Sequence, residues 1–259
     1  MLNSTRTGEC MKYKSIFISD VHLGSKGCKA ELLCDFLKHN TSEHLYLVGD
    51  IVDGWRLRRK FYWPQSHTNV IRRILTAAKR DTKVTYVVGN HDEVLRGLLP
   101  YDIHFGNIDL VNQCRYKALN GKTYMVIHGD MFDGVLRTKL QWLYHLGDIL
   151  YNILLSINVV VAKIRSYFDL PHWSLSQYLK NKTKEAVSYV NNFEELITNY
   201  CSKQKADGVI CGHVHRAEIK TINNIDYMND GDWVESCTAL VENYDGSWEI
   251  VTWLEQKSS

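Results

Sequence analysis

Short apolar runs recur along the chain, and segments of helical periodicity fill the gaps between them. Residues 15–20 (SIFISD), 44–50 (HLYLVGD), 83–90 (KVTYVVGN), 124–130 (YMVIHGD) and 207–212 (DGVICG) read as strands, each ending in polar residues. Residues 27–40 place Leu32, Leu33, Phe36 and Leu37 at helical spacing. Residues 68–80 do the same with Val70, Ile71, Ile74, Leu75 and Ala78, and residues 182–205 with Val187, Val190, Phe193, Leu196 and Ile197. The tail, 238–254, reads as a β-hairpin around Tyr244-Asp245-Gly246. Strands and helices alternating at this density predict an α/β fold, a sheet with helices on its faces. The β-rich end of the chain suggests a second sheet. With no internal repeat and no linker, residues 12–259 read as one domain behind a polar extension, 1–11.

One stretch breaks the rhythm. Residues 131–181 contain Leu140, Trp142, Leu143, Tyr144, Leu146, Ile149, Leu150, Ile153, Leu154, Leu155 and Val159 to Val161. That is more apolar surface than one core-facing helix needs, and it predicts an inserted helical lid. Its apolar residues would either bind an acyl chain or touch a membrane surface, or else pack on the body or on an oligomer partner. The run 149–162 is too short to span a bilayer, which takes roughly 20 residues.

The polar ends of the strands carry the chemistry. They are Asp20-Val21-His22, Gly49-Asp50-Ile51-Val52-Asp53, Gly89-Asn90-His91-Asp92, His128-Gly129-Asp130 and Gly212-His213-Val214-His215. Open α/β sheets bind ligands at the carboxyl ends of their strands. Strand periodicity would point Asp20 and His22 to one side. Asp50 offers a carboxylate able to bridge two metals, Asn90 an amide oxygen, and His128, His213 and His215 imidazole nitrogens. This mixed N/O set suits manganese, iron or zinc rather than calcium. Two adjacent divalent cations are a common device for breaking phosphate esters and anhydrides. His91 lies beside the site and can stabilise charge or protonate a leaving oxygen. Asp53 either orients that imidazole or caps a turn. Behind it, Arg56, Arg58, Arg59 and Lys60 place four cations in five positions, either as substrate-phosphate contacts or as a solvated basic loop.

Composition narrows the partners more than the fold. A net charge of +2 gives no argument for nucleic acid, and the short basic run does not change that. The seven cysteines form no C-x-x-C pair and read as reduced thiols of a cytosolic protein. The N-terminus has no apolar run of the secretory type. The chain reads as cytoplasmic, either free or in peripheral contact with an inner membrane through the lid.

The five blocks, in order from Asp20 to His215, resemble the calcineurin-like metallophosphoesterase pattern D-x-H, G-D-x-x-D, G-N-H-D/E, H and G-H-x-H. The resemblance implies a four-layer α-β-β-α sandwich and a dinuclear site, typically with manganese. Asp20, His22, Asp50 and His215 would hold one ion. Asp50, Asn90, His128 and His213 would hold the other. His91 would be the catalytic histidine, with Asp53 its partner. The insertion after His128 is similar to that of bacterial UDP-2,3-diacylglucosamine pyrophosphohydrolases and their relatives, which act in lipid A synthesis. Residues 55–60, 62–67 and 229–235 look more like those relatives. At Gly89-Asn90-His91-Asp92 the core enzyme typically has G-N-R-D. The expected activity is hydrolysis of a pyrophosphate or phosphodiester bond in a UDP-2,3-diacylglucosamine-like lipid nucleotide. The alternatives are a phosphodiesterase or phosphatase for a soluble nucleotide or phospholipid head group, or a metal-binding scaffold without turnover.

Overall fold

The computed structural model describes residues 4–5, 11–101, 104–134 and 175–253. The strands are β1 (Ser4–Thr5), β2 (Met11–Ile18), β3 (Asn40–Val48), β4 (Lys83–Val87), β5 (His104–Phe105), β6 (Ile108–Val111), β7 (Gln113–Lys117), β8 (Thr123–Ile127), β9 (Gly208–Cys211), β10 (Glu218–Ile222), β11 (Ile225–Asn229), β12 (Thr238–Glu242) and β13 (Trp248–Thr252). The helices are α1 (Ala30–His39), α2 (Gly54–Arg59), α3 (Gln65–Lys79) and α4 (Leu175–Lys203). The chain divides into two compact units, one of Met1–Asp130 with Ile197–Ser259 and one of Met131–Leu196.

The first unit is built on two mixed sheets. One runs β1-β13-β12-β2-β3-β4-β6-β5, and the other β10-β11-β9-β8-β7. The polar extension contributes its own strand, since Ser4–Thr5 pair in parallel with Val251 and Thr252. Strands β2, β3 and β4 are parallel neighbours, as are β8 and β9. Their carboxyl ends therefore open on the same side within each sheet.

Between the sheets lies an aromatic core of Phe17, Tyr46, Tyr116, Tyr124 and Leu240 with Val48, Val87, Val126 and Ile210. Phe17 stacks on Tyr46 at 4.6 Å between centroids and meets Tyr116 edge-on at 5.2 Å. Truncating such a ring to alanine costs about 3–5 kcal/mol. Glu242 is buried in this layer but satisfied, taking hydrogen bonds from the Tyr116 hydroxyl and from Leu119 N–H.

The outer face of the first sheet is covered by α1 and α3. Leu33, Phe36, Val70 and Ile74 join Ile16, Ile18, Leu45 and Leu47 in a second core cluster. On the second sheet, Tyr200 donates to Gln113 at 2.9 Å, and Arg115 donates to the Gln204 carbonyl at 2.6 Å. The end of α4, with Ile197 and Cys201 fully buried, thus lies on that face. The order is helix, sheet, sheet, helix, the four-layer sandwich expected.

The second unit, Met131–Leu196, falls largely outside the described residues, and so does most of the predicted lid at 131–181. Within it, Phe132 packs edge-on against Phe193 and Tyr189 donates to Asp133 at 2.8 Å. The six described cysteines are free. No described helix is long and apolar enough to cross a membrane.

Candidate metal centre

All five polar blocks follow strands of the first unit: Asp20 and His22 after β2, Asp50 after β3, Asn90 and His91 after β4, His128 after β8, and His213 and His215 after β9. The backbone there is not the extended one that alternation from the strands predicts. Asp20 (φ 50°), His22 (φ 53°), Asp50 (φ 54°), His213 (φ 70°) and His215 (φ 53°) are all left-handed. Each such residue costs of order 1–3 kcal/mol and persists only where its surroundings enforce it. Here the enforcement is visible. Asp20 N–H donates to the Gly49 carbonyl at 3.1 Å and His22 N–H to the Asp50 carbonyl at 2.9 Å, locking the two turns side by side. Both members of the D-x-H pair, and both of the H-x-H pair, reach the centre through these conformers.

Two glycines make room. A Cβ on Gly49, whose φ is +84°, would strike the His128 ring, and one on Gly89 would strike the Asp50 carboxylate.

Asp50 lies at the middle. Its Oδ1 is 3.4 Å from His128 Nε2 and accepts His91 N–H at 2.8 Å. Its Oδ2 is 3.9 Å from both His22 Nε2 and His91 Nε2. Asp20 Oδ1 is 3.0 Å from His215 Nε2 and 3.8 Å from His22 Nε2. Asp20 Oδ2 takes His213 N–H at 2.8 Å. The His128 and His213 rings meet edge-on at 5.1 Å. Asn90 Oδ1 is 3.2 Å from His128 Nε2. His91 Nδ1 donates to Asp53 Oδ1 at 3.0 Å. Asp53 also caps α2 by accepting Arg56 N–H at 2.9 Å, so both readings of this carboxylate hold. Every sequence-predicted ligand, with His91 and Asp53, is brought to one place.

The arginines are different. Arg56 pairs with Asp53 at 3.3 Å, whereas Arg58 and Arg59 are exposed on α2 and make no contact with the cluster. The basic loop is a short helix with no buried residue.

The donor set fits divalent cations. His128 Nδ1 donates to the Val48 carbonyl at 2.8 Å, which leaves Nε2 to face the oxygens of Asp50 and Asn90. Lone pairs converging in this way need a cation between them. Asp20 Oδ1 is buried and faces only the imidazole nitrogens of His215 and His22 among the described residues. Asp20, His22 and His215 form one set with ligand atoms within 4.8 Å of one another, and Asp20, Asp50 and His128 form another. Burial pulls the His128 pKa down, but Asp50, Asp20 and Asp130 outweigh it and push it up to about 10. Burial raises Asp20 and Asp50, but His215 and His22 hold Asp20 well below the carboxylate range, and His128 lowers Asp50.

A model of the calcineurin-like phosphoesterase family matches residues 13–217. The chain belongs to that family. It is accordingly a metal-dependent hydrolase. No curated protein matches the sequence. Among solved structures, it is similar to the phosphoesterase Yfce from E. coli at 16% identity and a TM-score of 0.44, covering 93% of this chain and 99% of that one. It is similar to an archaeal phosphodiesterase at 10% identity and a TM-score of 0.43, covering 92% and 98%. Vps29 of Entamoeba histolytica in complex with zinc gives 14%, 0.43, 93% and 99%.

Around this phosphoesterase centre the structure adds residues to which the sequence reading gave no role. Ser19 Oγ sits 2.5 Å from Asp20 Oδ2 and 2.6 Å from Asp230 Oδ1. One hydroxyl carries one hydrogen, so it cannot donate to two ionised carboxylates. Burial raises the Asp230 pKa well above the usual carboxylate range. Asp92 accepts Gly89 N–H at 2.6 Å, Ile51 N–H at 2.9 Å and Tyr86 O–H at 2.6 Å, tying the second and third blocks together. Arg96 donates to Asp130 at 2.7 Å and to the Val88 carbonyl at 3.3 Å. Asp92 stood inside a recognised block. Asp230 stood in the segment 229–235 that already carried a resemblance.

Proposed function

We propose that this chain hydrolyses a pyrophosphate or phosphodiester bond at the Asp50 centre, with a UDP-2,3-diacylglucosamine-like lipid nucleotide as substrate. The observation that carries the chemistry is the convergence of buried Asp, His and Asn ligand atoms around Asp50. Asp20, His22, Asp50 and His215 would hold one cation, and Asp50, Asn90, His128 and His213 the other. Two cations bound there supply charge neutralisation at the phosphoryl oxygens and activation of the attacking water. Manganese is the metal we favour, with iron and zinc the alternatives.

The protein's own part is positional and acid–base. Asp50 fixes the centre, held by His91 N–H. Asp53 holds the His91 ring by Nδ1, which leaves Nε2 facing the centre to protonate the departing oxygen. Arg58 and Arg59, exposed on α2, attract the substrate's remaining phosphates, with Arg56 divided between them and Asp53.

The lipid nucleotide is supported by the apolar residues of 131–181 and by the similarity of that insertion to the one in the bacterial enzymes. Acyl chains would lie under that insertion, which also offers peripheral membrane contact. The test is cleavage by purified protein with added manganese. UDP-2,3-diacylglucosamine is offered beside a simple aryl phosphodiester, with a His91→Ala control. Selective release of UMP that disappears in the variant supports the reading. Cleavage of the aryl ester alone removes the substrate and keeps the chemistry. Metal binding without any turnover removes both.

A further inference from the structure

Three consecutive residues hold His91 from three sides. The Asp53 carboxylate takes Nδ1–H at 3.0 Å. Gly54 N–H donates to the His91 carbonyl at 2.9 Å, an approach so close that a Cβ on Gly54 would strike that oxygen. The Trp55 indole packs over the imidazole with centroids 4.3 Å apart and planes inclined at 36°. The indole N–H donates to Glu93 Oε1 at 3.1 Å. Both the orientation and the polar group of Trp55 are therefore already accounted for. What remains is bare ring surface, and the residue is 41% exposed at the edge of a charged centre.

That surface has a use. Rings fixed in advance bind flat partners well, because little side-chain freedom is lost on stacking. The ring packed against Trp55 is the imidazole assigned to the leaving oxygen, so a group bound next to that imidazole comes within reach of the indole. We propose that Trp55 is a specificity-determining residue, stacking a planar aromatic or heteroaromatic group of the substrate beside His91. The inference rests on the placement of His91 as leaving-group acid under the proposed function. It adds the chemical class of the group held beside His91, which the ligand set does not specify.

The test uses the manganese-loaded full chain and two non-hydrolysable probes, benzylphosphonate and ethylphosphonate, in calorimetric titrations of the wild type, Trp55→Phe and Trp55→Leu. The wild type is expected to bind the benzyl probe about tenfold more tightly. Trp55→Leu loses that preference while binding ethylphosphonate as before, and Trp55→Phe keeps most of it. With an aryl phosphodiester, Trp55→Leu raises KM by a larger factor than it lowers kcat. Equal binding of both probes by the wild type overturns the proposal. So does a Trp55→Leu variant that keeps the benzyl preference but loses kcat, for then the indole only braces His91. Absence of turnover in the wild type refutes the proposed function instead, and the ratio of the two binding constants still decides the role of Trp55.

Discussion

The ligand cluster and helix α2 lie side by side, joined through Asp53, yet they are made in opposite ways. In the cluster Asp20, Asp50 and His128 are almost wholly buried, and five residues are bent into left-handed conformers. Helix α2, one residue beyond Asp53, buries nothing. It leaves Trp55 at 41% and its neighbour Phe61 at 77% exposure, and its cations Arg58 and Arg59 are exposed, with no ion-pair partner among the described residues. Strain and burial are tolerated where a fixed charge geometry is needed, since ligand atoms must converge before a cation arrives. An exposed helix of six residues fixes little, but it can meet different molecules. Under the proposed function, the contrast divides bond breaking, at the cluster, from choice of substrate, at α2.

The sharpest way to break that contrast is at the junction. His91→Ala should lower kcat about 10²–10⁴-fold while leaving metal stoichiometry at two per chain. Turnover and metal analysis on the same sample check it, and a loss of metal in step with activity would make His91 a ligand. Next in size is the support behind Asp20. Ser19→Ala removes the hydroxyl shared with Asp230 and should weaken metal binding about 10–100-fold, read by competition with a chelating dye. An unchanged affinity would mean that His213 N–H alone orients Asp20.

A third test uses pH. In chelator-stripped protein His128 has a pKa of about 10, above its ordinary value of about 6.5. A raised folded-state pKa contributes stability fully below the unfolded value and loses it as pH climbs through the folded one. Stripped protein should therefore lose Tm steadily from about pH 7 toward 10. Metal must displace the same proton, so metal affinity should rise over that range. A Tm that climbs across that window contradicts the buried His128–Asp50 pairing. The smallest effect belongs to α2. Arg58→Glu with Arg59→Glu should raise KM several-fold at low salt, with the difference shrinking near 0.5 M salt. Unfolding free energy should stay within about 0.5 kcal/mol of the wild type, as for exposed positions elsewhere. A fall in kcat would show that α2 takes part in the chemistry.

The sequence by itself determined the alternating α/β plan and the five ligand blocks. Both are local: a buried parallel strand writes itself as an apolar run, and a strand-end ligand sits within a few residues of it. Strands β6 and β7 went unread, because Ile108–Val111 is half-buried throughout and Gln113–Lys117 buries only Tyr116. Helix α2 went unread because a helix that buries nothing leaves no apolar stripe. Tertiary structure alone decided the rest. Asp20 and His22 reach the centre through left-handed turns enforced by the neighbouring turn at Gly49 and Asp50. Ser19 meets Asp230 across 211 positions of chain. Trp55 lands on His91 only because β3 and β4 lie side by side in one sheet. Sequence patterns record which side chains must be buried or polar nearby in the chain. Which distant groups share a proton, a cation or a ring face is set by strand pairing, and no local periodicity encodes that.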